Sequence, residues 1–89
     1  MMEISITDHA LENINQREIS IDLIFDVIET PKYKIKQSDN RYILMEVYFD
    51  NLLAEEMLIR VVVEETQTGV TVITAYKTSK LNKYLKGLI

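Results

Sequence analysis

The sequence predicts an α+β domain, with two N-terminal helices packed on a three- to four-stranded antiparallel sheet and a short helix closing the chain. Three observations carry this expectation. Apolar residues between Asp8 and Ile28 recur at helical spacing behind good capping residues. From Tyr33 to Tyr76 the chain changes to β-branched and aromatic runs separated by turn residues. Pro31 stands between the two regimes.

Ile4-Ser5-Ile6 suits a short edge strand. Thr7 or Asp8 can cap a helix whose apolar side is Ala10, Leu11 and Ile14, running to about Gln16. Arg17-Glu18-Ile19 reads as a break. Ser20 caps a second helix that should bury Ile21, Leu23, Ile24, Phe25, Val27 and Ile28. Pro31 ends it, because Thr30 before a proline is pushed out of the helical region. Tyr33 to Lys36 alternates like an exposed strand, and Ser38-Asp39-Asn40 is a turn. Arg41 to Phe49 is strand-like, with a linker from Asp50 to about Glu56. Leu58 to Glu64 and Val70 to Tyr76 form a hairpin through Thr66-Gln67-Thr68-Gly69, with positive φ expected at the glycine. Ser79 can cap a last helix with Leu81, Tyr84 and Leu85 on one side and Gly87 as its stop. Residues 1–89 form one domain, and the helices are expected on one face of the sheet.

Composition narrows the classes. A chain of 89 residues hides only roughly 60% of its unfolded surface, so its core is small. With no cysteine there is neither a disulfide framework nor a thiolate metal site, which fits a reducing cytoplasm. Met1-Met2-Glu3-Ile4 has no basic segment or long apolar stretch, so no signal peptide is expected, and no run is long enough to span a membrane. The net charge of −4 is unevenly spread. Residues 1–76 hold all 14 acids against six bases, whereas the tail holds Lys77, Lys80, Lys83 and Lys86 and no acid. The tail is either a solvated helix face or a surface that meets phosphate.

Several side chains suit chemistry on a phosphate or a proton. His9 is the only histidine, and Asn13, Gln16 and, if the helix reaches it, Arg17 share its side of the first helix. Arg60 interrupts the apolar run Met57–Val63 and must find a carboxylate, a ligand or solvent. Glu46 and Glu64 are candidate partners. If Glu65 pairs with Val70, Arg60 lies opposite Ala75, and a slip of one residue puts it opposite Tyr76. Tyr42, Tyr48 and Tyr76 can stack bases or serve as half-buried core. Two glycines leave no glycine-rich phosphate loop, and a single histidine leaves no imidazole pair for a metal.

His9-Ala10-Leu11-Glu12, Arg17, Ile19-Ser20, the helix ending at Pro31, Arg41-Tyr42 and the final Val72-Ile73-Thr74-Ala75-Tyr76 together resemble the family called domain of unknown function 4258. The tail Tyr76 to Tyr84 looks like the ending of one of its subgroups. Two positions depart from the pattern: Asn13 stands where a second arginine is usual, and Glu18 where glycine often follows the arginine. The resemblance implies the fold of small ribonuclease toxins of the barnase and RelE kind, paired with a small antitoxin. Carried over by position, the catalytic candidates are His9, Arg17, Arg60, Thr74 and Tyr76, with Lys77, Lys80 and Lys83 steering RNA. The expected function is a metal-free endoribonuclease without cofactor. Its rival is a non-catalytic protein-binding or regulatory module. An exposed strand near Ile4 or Tyr33 also offers an edge for a homodimer.

Overall fold

A computed structural model describes residues 2–88. Its elements run β1 (Glu3–Ile6), α1 (Asp8–Gln16), α2 (Ile21–Glu29), β2 (Tyr33–Lys36), β3 (Arg41–Asp50), β4 (Glu55–Glu65), β5 (Gly69–Thr78) and α3 (Leu81–Leu85). Thr7 caps α1, its hydroxyl accepting from the Ala10 amide at 3.0 Å, and Ser20 caps α2. α3 differs from expectation: Lys80 occupies the cap position with no side-chain bond, and Ser79 contributes only its carbonyl, which accepts from the Leu81 amide.

The sheet has five strands in the order β1-β5-β4-β3-β2, and it is mixed rather than antiparallel. β1 lies parallel to β5, with Glu3 opposite Gly69 and Ile6 opposite Val72. The two edge strands are four residues each, too short to declare their pairing by pattern. Gly69 is required for a reason other than the positive φ expected of it. A Cβ there would fall on the Glu3 carbonyl, so only glycine lets β1 approach. The β3–β4 connection is also tighter than a linker, since the ladder runs to the Asp50–Glu55 pair and leaves only residues 51–54 as a turn.

α1 and α2 cover one sheet face. There Ala10, Ile14, Ile24, Val27 and Ile28 pack on Leu44, Ile59, Val61, Val63 and Val72. A helix lying on a sheet buries only one stripe, so Leu11 and Phe25, about 100° round from that stripe, remain partly exposed. The second face is not bare, as a single layer of helices would leave it. α3 crosses it, seating Leu85 against Met45 and Leu58. Helices therefore stand on both faces, and the central strand β4 reads as a nearly continuous apolar run because both of its sides are covered.

Each expectation for the β4–β5 register holds only in part, and Arg60 does not face Ala75, which pairs with Val61. Glu65 pairs with Val70, yet Arg60 pairs with Tyr76, because a bulge at Ile73 adds one residue to β5 between Val72 and Thr74.

α1 ends in a Schellman motif: the Ile19 amide bonds the Ile14 carbonyl and the Glu18 amide the Asn15 carbonyl. The left-handed position is Glu18, at φ 54°. That is where the family pattern often has glycine, and a side chain there is strained. Glu18→Gly should stabilise the domain by about 0.5–1 kcal/mol, read as a raised urea midpoint at constant m-value. Gly69→Ala should lower the midpoint by pushing β1 off β5, with amide exchange accelerating first in residues 3–6.

Candidate functional site

β1 covers β5 only as far as Val72. Beyond it α1 takes over, and its polar stripe meets the strand. Asn13 Nδ2 donates to Thr74 Oγ1 at 3.0 Å. Arg17 Nη1 donates to the Ala75 carbonyl at 2.7 Å. Both are contacts that hold a helix to a strand edge. His9 lies at the exposed start of α1 and has no hydrogen bond or ion pair among the described residues.

Lys77 follows on the same face, opposite Ile59. Its ammonium donates to Asp50 Oδ2 at 2.9 Å and to the Glu18 carbonyl at 3.3 Å. Asp50, only 6% exposed, also accepts from the Tyr48 hydroxyl at 3.0 Å and from the Leu52 and Leu53 amides at 3.0 and 3.1 Å. The Lys77 ammonium and the Leu53 amide hold its carboxyl down to about 2, against the opposing effect of burial. Burial first, and then Asp50, push the Tyr48 phenol up. Lys77 is thus occupied within the fold, joining the β3–β4 turn to β5 and to the end of α1.

The other face carries a different cluster. Arg60 lies opposite Tyr76, and α3 brings Tyr84 over both. The Arg60 guanidinium carbon is 4.1 Å from the Tyr84 ring centre and 5.3 Å from that of Tyr76. The two rings meet edge to face at 6.4 Å. Lys83 Nζ stands 5.3 Å from the Tyr84 ring. Neither expected carboxylate reaches Arg60. Glu64 is held by Arg41 at 2.6 Å, and Glu46 lies opposite Ile59, on the other side of the sheet. Arg60 Nε is buried with no hydrogen-bond partner among the described residues.

The two phenols are driven apart electrostatically. Burial dominates at Tyr76 and raises its pKa. Burial acts the same way on Tyr84, but Lys83 and Arg60 outweigh it and hold that phenol below its ordinary value. A pair of phenols so divided, beside a guanidinium and an ammonium, can bind an oxyanion and move a proton at it.

The sequence candidates therefore fall into two groups. Arg17, Thr74 and Lys77 join α1, β5 and the β3–β4 turn, with His9 at the start of the same helix. Arg60 and Tyr76 lie beneath α3, which itself carries Lys83. Lys80 is exposed at the start of α3 and, among the described residues, is bonded only through its amide, to Thr78. Sequence reasoning missed Tyr84 as a functional group. Its spacing from Leu81 and Leu85 marks it as apolar support, and nothing local shows that α3 folds back over Arg60. The larger cavity, about 540 Å³ in volume, adjoins neither group. It lies on the α1–α2 face between the end of α2 and the β4–β5 turn.

Fold and cluster define a small α+β domain with a mixed five-stranded sheet and a cluster of cationic and phenolic side chains on one face. Residues 6–77 match the family described as Domain of unknown function (DUF4258), and the chain belongs to that family. The matched span takes in His9, Arg17, Arg60, Thr74, Tyr76 and Lys77 and stops before Lys80, Lys83 and Tyr84. No curated protein and no solved structure matches the chain. Among the described residues, no helix is long and apolar enough to cross a membrane, and no three acidic or histidine side chains are grouped for a metal.

The Asp50 network has a pH signature with a definite sign. Its folded pKa lies below the ordinary value, so its contribution is complete above about pH 4. It is lost as pH falls towards about 2. Thermal melts of the wild type should fall through that window. Asp50→Asn should melt lower at pH 7 and show a flatter acid limb. An unchanged acid limb in the variant would remove Asp50 as its source.

Proposed function

We propose that the protein is a metal-free endoribonuclease, the toxin component of a toxin–antitoxin pair, and that RNA phosphate binds at Arg60, Tyr76, Tyr84 and Lys83. The observation that carries this reading is Arg60. It is a guanidinium in the middle of a covered strand, with no carboxylate partner among the described residues, beside two phenols, one of which also has a lysine near it. A guanidinium presents paired donors that match two oxygens of one phosphate. The aromatic faces beside it suit stacked bases.

In this mechanism the RNA 2′-hydroxyl attacks the adjacent phosphorus. Its proton passes to the Tyr84 oxygen, acting as the base from its ionised form, towards which Lys83 and Arg60 draw a phenol whose pKa lies below its ordinary value. Tyr76, whose phenol is held protonated, donates its proton to the departing 5′-oxygen. The products are a 2′,3′-cyclic phosphate and a free 5′-hydroxyl, and Arg60 and Lys83 offset the charge that develops on the phosphorane oxygens. Arg17 and Thr74 act by holding α1 on β5. Tyr84 takes the base role under this reading, in place of His9, which the resemblance offers as an acid or a base. RNA and a small antitoxin-like protein are the partners under this reading, and a cysteine-free chain suits the cytoplasm.

A second reading, a non-catalytic protein-binding module, draws on Phe49 and Leu52, which stand 59% and 72% exposed around the β3–β4 turn. Induced expression in a bacterial host separates the two. The wild type and His9→Ala should arrest growth and degrade total RNA. Arg60→Met and Tyr84→Phe, folded by their melting curves, should lose about 10²-fold or more of the cleavage rate. Intact RNA and normal growth with folded wild type would remove the nuclease reading. Loss of cleavage in His9→Ala alone would return the base to α1.

A further inference from the structure

The 540 Å³ cleft on the α1–α2 face is a concave site that the cation–phenol cluster does not use. Its floor is apolar: Ile28 from the end of α2, Leu44 from β3, Val63 from β4 and Val70 from β5. These residues belong to the main core or pack against it, so the floor is fixed by the fold. The cleft exists because α2 stops at Glu29, where Pro31 turns the chain towards the edge strand β2, while the sheet continues beyond it. Its volume lies within the range of pockets that bury most of a ligand.

The rim is charged, and its balance is negative. Among the described residues its one cationic side chain, Lys34, is engaged twice, at 3.8 Å from Glu65 Oε2 and 4.4 Å above the Tyr42 ring. Glu29, on the opposite lip, has no hydrogen bond or ion pair among the described residues. It sits in the last turn of α2, where the helix carbonyls add partial negative charge and no basic residue offsets them. Burial first, and then Glu65, raise the Tyr42 phenol, so this side of the cleft presents a neutral phenol. The body of the chain is strongly acidic as well.

We infer that this cleft receives a peptide segment of a partner protein, with an apolar side chain on the Leu44–Val63–Val70 floor and a neighbouring lysine or arginine between Glu29 and Glu65. Pro31 and residues of the β4–β5 turn, Thr66 and Gly69, line the cleft beside its apolar floor, so an extended chain seated there would bury its flanking residues on them. A small free amine would leave most of that surface wet. The negative rim rejects an acidic segment and steers a basic one. The inference does not rest on the nuclease reading, because the site lies on the other face of the sheet from Arg60.

The test is selection of a random peptide display library on the immobilised full chain, followed by titration of the enriched peptide into isotope-labelled protein. Enriched sequences should carry an apolar residue within two positions of a lysine or arginine. Their amide shifts should map to Ile28, Leu44, Val63 and Val70. Glu29→Lys, a change at an exposed position in the last turn of α2, should weaken binding about tenfold or more without lowering the melting temperature, since a cation there suits the helix end. Glu65→Gln should weaken it less. Arg60→Met should leave it unchanged, which keeps this result separate from the fate of the nuclease reading. No enrichment, enriched acidic sequences, a footprint elsewhere, or Glu29→Lys binding as the wild type does would each overturn the inference.

Discussion

β5 is the strand on which the rest of the structure depends, because it must satisfy three neighbours along ten residues. Its whole length borders β4, its first four residues pair with β1, and its remaining outer edge has no strand to meet. An uncovered edge leaves backbone groups unpaired and invites other chains. α1 closes it with side chains. Asn13 bonds Thr74, and Arg17 caps the Ala75 carbonyl. The charge-assisted bond from Arg17 is the shorter of the two. This requirement ties the helical layer to the sheet and places a polar stripe of α1 where catalytic residues had been expected.

The bulge at Ile73 follows from the same strand. Without it Arg60 would face Ala75, and the two tyrosines would not converge on one guanidinium. With it β5 keeps Val70 and Val72 in the main core and still turns Tyr76 under α3. A single added residue therefore separates the structural use of β5 on one face from its chemical use on the other. At the far end, Asp50 and Lys77 join the β3–β4 turn to β5, and Lys77 also reaches the carbonyl of the strained Glu18. The lysine that reads as the start of a phosphate-steering tail is committed to the fold. The free positive charge begins later, at Lys80.

Much of the fold was legible. Thr7 and Ser20 as caps, Pro31 as a stop, the break at Arg17-Glu18-Ile19 and the β-branched runs all act locally, and each lies where the sequence predicts it. Arg60 was legible as a residue type, since an arginine inside an apolar strand needs a partner. The grouping of the site residues was not. Arg17 and Arg60 look equivalent along the chain, yet one bonds a backbone carbonyl under α1 and the other stacks on tyrosines beneath α3. The departure at Glu18 gained a meaning only once its φ placed it at the left-handed position of a helix end.

The sequence by itself determined the order and kind of the elements, the caps and stops of α1 and α2, and the asymmetry between an acidic body and a basic tail. These depend on interactions within a few residues or on composition. The tertiary structure decided the parallel pairing of β1 with β5, the joining of all five strands into one mixed sheet, the crossing of α3 to the second face, and the meeting of Arg60 with Tyr76 and Tyr84. Each joins residues far apart in the chain through backbone ladders or packing. Such contacts are set by how surfaces fit once the core has closed, and no local pattern of residues encodes them.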